Sequence, residues 1–239
     1  MDALLETILE AHGGLTRWQS FARVDAHLIQ GGALWGLKGK AGLLDDTTVT
    51  VELRTGRASH HPFGDPRRLS VFVPDRVAIL GSDGALIESL TDPRASFAGH
   101  SLETPWTDPQ LAYFAGYAMW TYLNTPFLMA RPGVEAWEIE PWREKGETWR
   151  RLRVRFPADI ATHSAEQTLH VGEDGLLRRH DYDVAITGGT PGAHYISDYI
   201  DVSGIKFPTR RRIFPRTPEG QSLAEPLVVS IDLDNIVLS

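Results

Sequence analysis

The chain predicts a mainly β protein: one curved antiparallel sheet or incomplete β-barrel, with a helix buried in its concave face and a short helix at the N-terminus. Three features carry this expectation. Apolar and polar residues alternate with a period of two along most of the chain. Glycine-bearing turns such as Asp83-Gly84, Asp174-Gly175 and Ser203-Gly204 separate the alternating runs. One segment, "TDPQLAYFAGYAMWTYLNTPF", breaks the alternation and is apolar on nearly every side.

In chain order, Ala3, Leu4, Thr7, Ile8 and Ala11 recur at helical spacing and "HGG" stops them, so residues 2–12 read as a short amphipathic helix. "TTVTVELRT" then alternates, with Val49, Val51 and Leu53 on one side, and "LSVFV", "RVAIL" and "ALIES" follow as strands. In the exceptional segment Thr107 or Asp108 caps, Pro109 suits the first turn and Asn124 to Pro126 end a helix over residues 109–123. A helix apolar all round is buried all round, which in a β-rich chain places it inside a curved sheet; a membrane-inserting or partner-binding helix is the competing reading. Strands resume with "VEAWEIEPW", "ETWRRLRVRFP", "EQTLHV", "LLRRHDYDVAI", "HYISDYIDV", "GIKFPTRRRIF" and "LVVSIDLDNIVL". The sum is roughly ten strands and two helices in one domain over residues 1–239.

Bulk properties narrow the function. At 239 residues, 42% hydrophobic and 23% charged, the chain can bury one large core. A net charge of -7 argues against nucleic acid as a partner. With no cysteine there is no disulfide, thiolate metal site or cysteine nucleophile. "MDALLETILEAHGG" lacks the basic and apolar regions of a signal peptide, and no run has the roughly 20 apolar residues of a membrane span, so a cytoplasmic location is expected.

The phrases "ILEAHGGLTRWQSF", "VGEDGLLRRHDY" and "SDYIDVSGIKFPTRR" resemble the opening helix, the Asp-Gly hairpin and the Pro-bearing return strand of the LolA/LolB-like lipoprotein-carrier superfamily. The resemblance spans most of the chain and implies an incomplete, strongly curved barrel around an apolar cavity closed by helices.

Strand parity says more about the site. If Val202 pairs with Ile205, one face of the last long hairpin holds Ile196, Ile200, Val202, Ile205, Phe207 and Ile213, together with His194, Asp198, Thr209 and Arg211. The neighbouring hairpin places Gln167, Leu169, Val171, Leu176, Arg178, His180, Tyr182 and Val184 on that face. Glu166, Thr168, His170, Arg179, Asp181 and Asp183 are expected in solvent. An inner polar cluster of Gln167, His180, Tyr182, His194, Asp198, Thr209 and Arg211 results, with Asp198 and Arg211 expected as an ion pair.

Two readings of the cluster stay open. It is either a self-satisfied structural network or the polar end of a pocket for an apolar or amphipathic small molecule, with Tyr117 and Trp120 of the buried helix also lining it. An enzyme is the alternative: His180 or His194 beside Asp198 as general base, with Tyr182 or Arg211 as oxyanion stabiliser. No nucleophile elbow, P-loop, dinucleotide fingerprint or His-Glu-x-x-His run appears, so neither a cofactor nor a metal is expected. Arg151, Arg153 and Arg155 form an outward row that, with Arg179, Arg210 and Arg212, is either a solvated face balanced by Glu138 and Glu140 or a contact surface for an acidic partner or anionic headgroups.

Overall fold

The computed structural model describes residues 1–239 and is built on a single antiparallel sheet of 13 strands. The first six strands are β1 (Arg23–Gly31), β2 (Asp46–Glu52), β3 (Arg57–His61), β4 (Arg68–Val73), β5 (Arg76–Gly81) and β6 (Leu86–Thr91). The rest are β7 (Glu135–Glu144), β8 (Glu147–Arg155), β9 (Glu166–Val171), β10 (Leu177–Val184), β11 (Thr190–Val202), β12 (Ile205–Pro215) and β13 (Val229–Leu238). The spatial order β6-β5-β4-β3-β2-β1-β13-β12-β11-β10-β9-β8-β7 is two meanders joined where β1 pairs with β13. β6 and β7 stay as free edges, so the curved sheet is an open half-barrel.

Four α-helices accompany the sheet: α1 (Ala3–Ala11), α2 (Leu15–Trp18), α3 (Ala33–Leu37) and α4 (Asp108–Asn124). Asp2 caps α1 by accepting from the Leu4 amide at 2.8 Å. α4 begins with a reciprocal capping box, Thr107 Oγ1 accepting from the Gln110 amide and Gln110 Oε1 accepting from the Thr107 amide. Every residue from Pro109 to Asn124 is buried, as the all-round apolar pattern requires. Phe114, Tyr117 and Trp120 are among them.

The helix packs chiefly on β2 to β6. Gly116 makes the close approach possible: a Cβ there would stand 2.3 Å from the Phe72 Cβ on β4. The opposite flank of α4 faces β10 to β13 across a gap that closes where Tyr122 meets Tyr182 on β10 and Arg211 on β12.

Sequence reading missed β1, β3, α2 and α3. β1 alternates, but through the small Ala26 and past Asp25 and His27, which dilute its apolar signal. β3, "RASHH", is too polar and short to stand out. The outer face of β9 and β10 also needs correcting. Thr168, His170, Arg179 and Asp181 are buried, not solvated. β7 and the segment after β12 fold over them: Arg179 donates to Asp181, to Glu144 and to the Gly220 carbonyl, and Trp142 packs edge-on against His170. Such a cover comes from strands distant in sequence and leaves no trace in the period.

The outward arginine row is likewise a paired surface, not a bare positive patch. Arg153 and Arg155 bind Glu166, Arg155 also reaches Glu135, and Arg212 binds Asp232. Arg150 rather than the row itself engages Glu138, at 2.7 Å.

Candidate ligand-binding cavity

A cavity of about 220 Å³ fills the gap between α4 and the β10–β13 half of the sheet. Its wall is apolar, 18 of 26 lining residues being hydrophobic. Phe114, Ala115, Ala118 and Met119 form the α4 side, while Ile213, Val229 and Ile231 form the sheet side. Leu34, Trp35 and Leu37 of α3, with Leu102 and Trp106, line its remaining side. Lys38, fully buried, ties these last pieces together: its Nζ donates to the carbonyls of Ser101, Leu102 and Thr104 and stands over the Trp106 ring.

The polar part of the wall consists chiefly of Tyr122, Tyr182 and His163. Tyr122 Oη lies 2.6 Å from Tyr182 Oη and 2.8 Å from His163 Nε2, and Tyr117 Oη lies 3.1 Å from His163 Nδ1. The His163 and Tyr182 rings stack with centroids 4.1 Å apart. Burial pushes the His163 pKa well below its usual value and raises those of the phenols, so all four side chains are neutral near pH 7.

Behind these tyrosines lie His180, His194, Gln167 and Arg211, all buried. His180 Nε2 donates to Gln167 Oε1 at 2.6 Å, and Gln167 Nε2 donates to Thr162 Oγ1 and the Ser164 carbonyl. Burial, and then the positive charge of Arg211, push the His180 pKa down to about 3. The same two causes hold His194 well below its ordinary value.

Asp198 is not part of this group. The β11–β12 register follows the expected pairing, Val202 with Ile205 and Ile196 with Arg211. At Asp198, however, φ is 58°, in the left-handed region, and the ladder omits its pairing with Thr209. The side chain turns outward and meets Arg210 at 3.8 Å, while Thr209 is left donating to the Asp198 carbonyl. Alternation fails locally, so Ile200 is 42% exposed and Tyr199 packs edge-on against His12. The expected Asp198–Arg211 ion pair is therefore absent. Arg211 instead donates to His194 Nε2 and to the Tyr122 carbonyl, and no carboxylate accompanies either histidine.

The β9–β10 turn holds a smaller correction. A bulge at Arg178 leaves Leu177, rather than Leu176 and Arg178, pointing into the core. From His180 onward the expected parity holds.

Of the side chains expected at the site, Tyr182 lines the cavity directly. Tyr117, Gln167, His180, His194 and Arg211 stand behind its polar wall. Trp120 faces the other way, donating to the Glu52 carbonyl on β2. Tyr122 and His163 escaped the sequence reading, the first hidden in an apolar helix and the second in the polar segment before β9.

An open antiparallel half-barrel enclosing a helix and an apolar cavity is a recognisable class of protein. The particular fold is the LolA-like one. A LolA superfamily protein from Nitrosomonas europaea superposes with a TM-score of 0.53 at 11% identity, covering 98% of this chain and 92% of that one. A putative outer membrane lipoprotein-sorting protein domain from Vibrio parahaemolyticus superposes with a TM-score of 0.51 at 9% identity, covering 95% and 93%. No protein-family model matches the sequence, and no curated protein does.

Proposed function

We propose that this protein binds an apolar or amphipathic small molecule in the cavity between α4 and β10–β13, with the tyrosine–histidine end orienting the polar group of the ligand. The observation that carries the reading is the pairing of a mostly apolar wall with the hydrogen-bonded Tyr122, Tyr182 and His163. Apolar walls contribute about 0.8 kcal/mol for each methylene removed from water, and a few placed polar groups fix orientation. A carrier or sensor of lipid-like molecules fits this arrangement, and the lipoprotein-sorting description of the Vibrio parahaemolyticus neighbour is in keeping with it.

The test uses a neutral fluorescent probe, N-phenyl-1-naphthylamine, titrated into the purified chain, with native mass spectrometry of whatever co-purifies. Saturable binding at one site is expected, and it should vanish in Ala118→Phe, which fills the cavity from α4. Equal binding by a folded Ala118→Phe variant would move the site elsewhere.

A further inference from the structure

The hydrogen count at the polar end of the cavity indicates what kind of ligand group it wants. Tyr117, His163, Tyr122 and Tyr182 share three hydrogen bonds. Held neutral, they carry four hydrogens on these atoms, one per phenol and one on the imidazole. One hydrogen is left over, and the tautomer of His163 decides where. With the proton on Nδ1, donation runs from Nδ1 to Tyr117 and from Tyr182 through Tyr122 to Nε2. The spare hydrogen then sits on Tyr117, which is fully buried and does not line the cavity. With the proton on Nε2, donation runs from Tyr117 to Nδ1 and from Nε2 through Tyr122 to Tyr182. The spare hydrogen then belongs to Tyr182, on the cavity wall. The first arrangement strands a buried donor, a loss of about 1–3 kcal/mol, whereas the second offers it to an acceptor in the cavity.

Arg211 supplies an independent observation. It is 2% exposed, its Nε has no partner, and its two hydrogen bonds go to neutral acceptors, His194 Nε2 at 3.4 Å and the Tyr122 carbonyl at 3.2 Å. Its guanidinium carbon stands 5.1 Å from the centre of the ring of Tyr122, a residue that also lines the cavity. The ionisable groups that favour its charge are Tyr199, Tyr122 and Tyr182, all protonated, so no carboxylate offsets it. An unpaired buried cation costs several kcal/mol, and a ligand bringing a negative charge would relieve that cost.

We propose that the cavity selects an anionic single-chain amphiphile of the fatty-carboxylate type, whose oxygen accepts from Tyr182 Oη and whose charge is offset by Arg211 beside Tyr122. This inference rests on the cavity being the binding site. Its test is displacement of the neutral probe by a chain-matched pair, dodecanoate and dodecanol, at about pH 8, where the carboxylate is ionised. Dodecanoate should bind at least about tenfold more tightly than dodecanol, and the preference should shrink to about threefold or less in Tyr182→Phe and in Arg211→Met. Equal displacement by both compounds overturns the charge selection while leaving the cavity reading intact. Displacement by neither overturns both. A preference that survives in Tyr182→Phe overturns the assigned contact, and that variant decides the matter if Arg211→Met fails to fold.

Discussion

Arg211 Nη1 lies 3.4 Å from His194 Nε2, so a buried guanidinium is held by a neutral imidazole instead of a carboxylate. The imidazole accepts there, which places the His194 proton on Nδ1, an atom left without a partner. A cation in this setting is tolerated rather than stabilising. Arg211→Met keeps most of the side-chain volume and removes the charge. It is expected to melt at or above the temperature of the parent protein in the absence of ligand. A loss of more than about 2 kcal/mol in urea unfolding would show that the guanidinium holds the core together.

Arg179 gives the opposite expectation. It is fully buried beneath the convex face and binds Asp181 through two hydrogen bonds, at 2.6 and 2.8 Å, and Glu144 at 2.7 Å. Arg179→Ala removes the bidentate partner of Asp181 and the cation beside Glu144, and should destabilise by about 3–5 kcal/mol, measured by chemical denaturation. Comparing the two arginine variants separates a charge built into a network from one left for a partner.

Acid should unfold the protein earlier than its carboxylates alone would dictate. His180 has its pKa pushed down to about 3, and His12 and His60 to about 4, chiefly by burial. His163 and His194 move in the same direction for the same reason. The unfolded chain takes up these protons near pH 6.5 and the folded chain does not, so between about pH 6.5 and pH 4 the unfolded state binds more protons. Stability therefore falls as pH falls through that window, by up to about 1.4 kcal/mol per pH unit for each histidine. Urea midpoints measured from pH 7 to 4.5 should drop steeply, and a flat profile would mean that these rings are hydrated.

Gly116 should not tolerate even a methyl group. Alanine would improve helix propensity by about 1 kcal/mol, but its Cβ meets Phe72 Cβ at 2.3 Å and both partners are fixed by packing. Gly116→Ala is expected to lose about 1–3 kcal/mol net, and to lose less when introduced into Phe72→Gly, which lacks the clashing Cβ, than when introduced into the parent chain. Additive effects in that cycle would show that the helix does not press on β4 there.

Lys38 should control access to the cavity. Lys38→Met leaves three carbonyls without their donor and releases the segment carrying Leu102 and Trp106. Amide exchange in residues 100–106 should accelerate, and the off-rate of the neutral probe should rise with it. Unchanged exchange in that segment would show that it is held by its apolar contacts alone.

The sequence by itself determined the sheet-rich architecture, the buried helix and the sidedness of most of the last two hairpins. Each of these follows from local period and capping: α4 is apolar all round, Thr107 and Gln110 announce its start, and residues two apart on a strand share a face. That parity brought Gln167, His180, Tyr182, His194 and Arg211 together correctly. Only the tertiary structure decided the rest. One left-handed residue at Asp198 removed the expected counter-ion without shifting the register, a local backbone choice that a period of two does not encode. The burial of Arg179 and His170 depends on β7 and the segment after β12 folding over them. Tyr122 and His163 became cavity residues because α4 packs on β2–β6 and leaves its other flank facing β10–β13. Where a helix settles within a half-barrel depends on contacts between segments far apart in the chain, such as Gly116 against Phe72, and those contacts exist only once the sheet has curved around it.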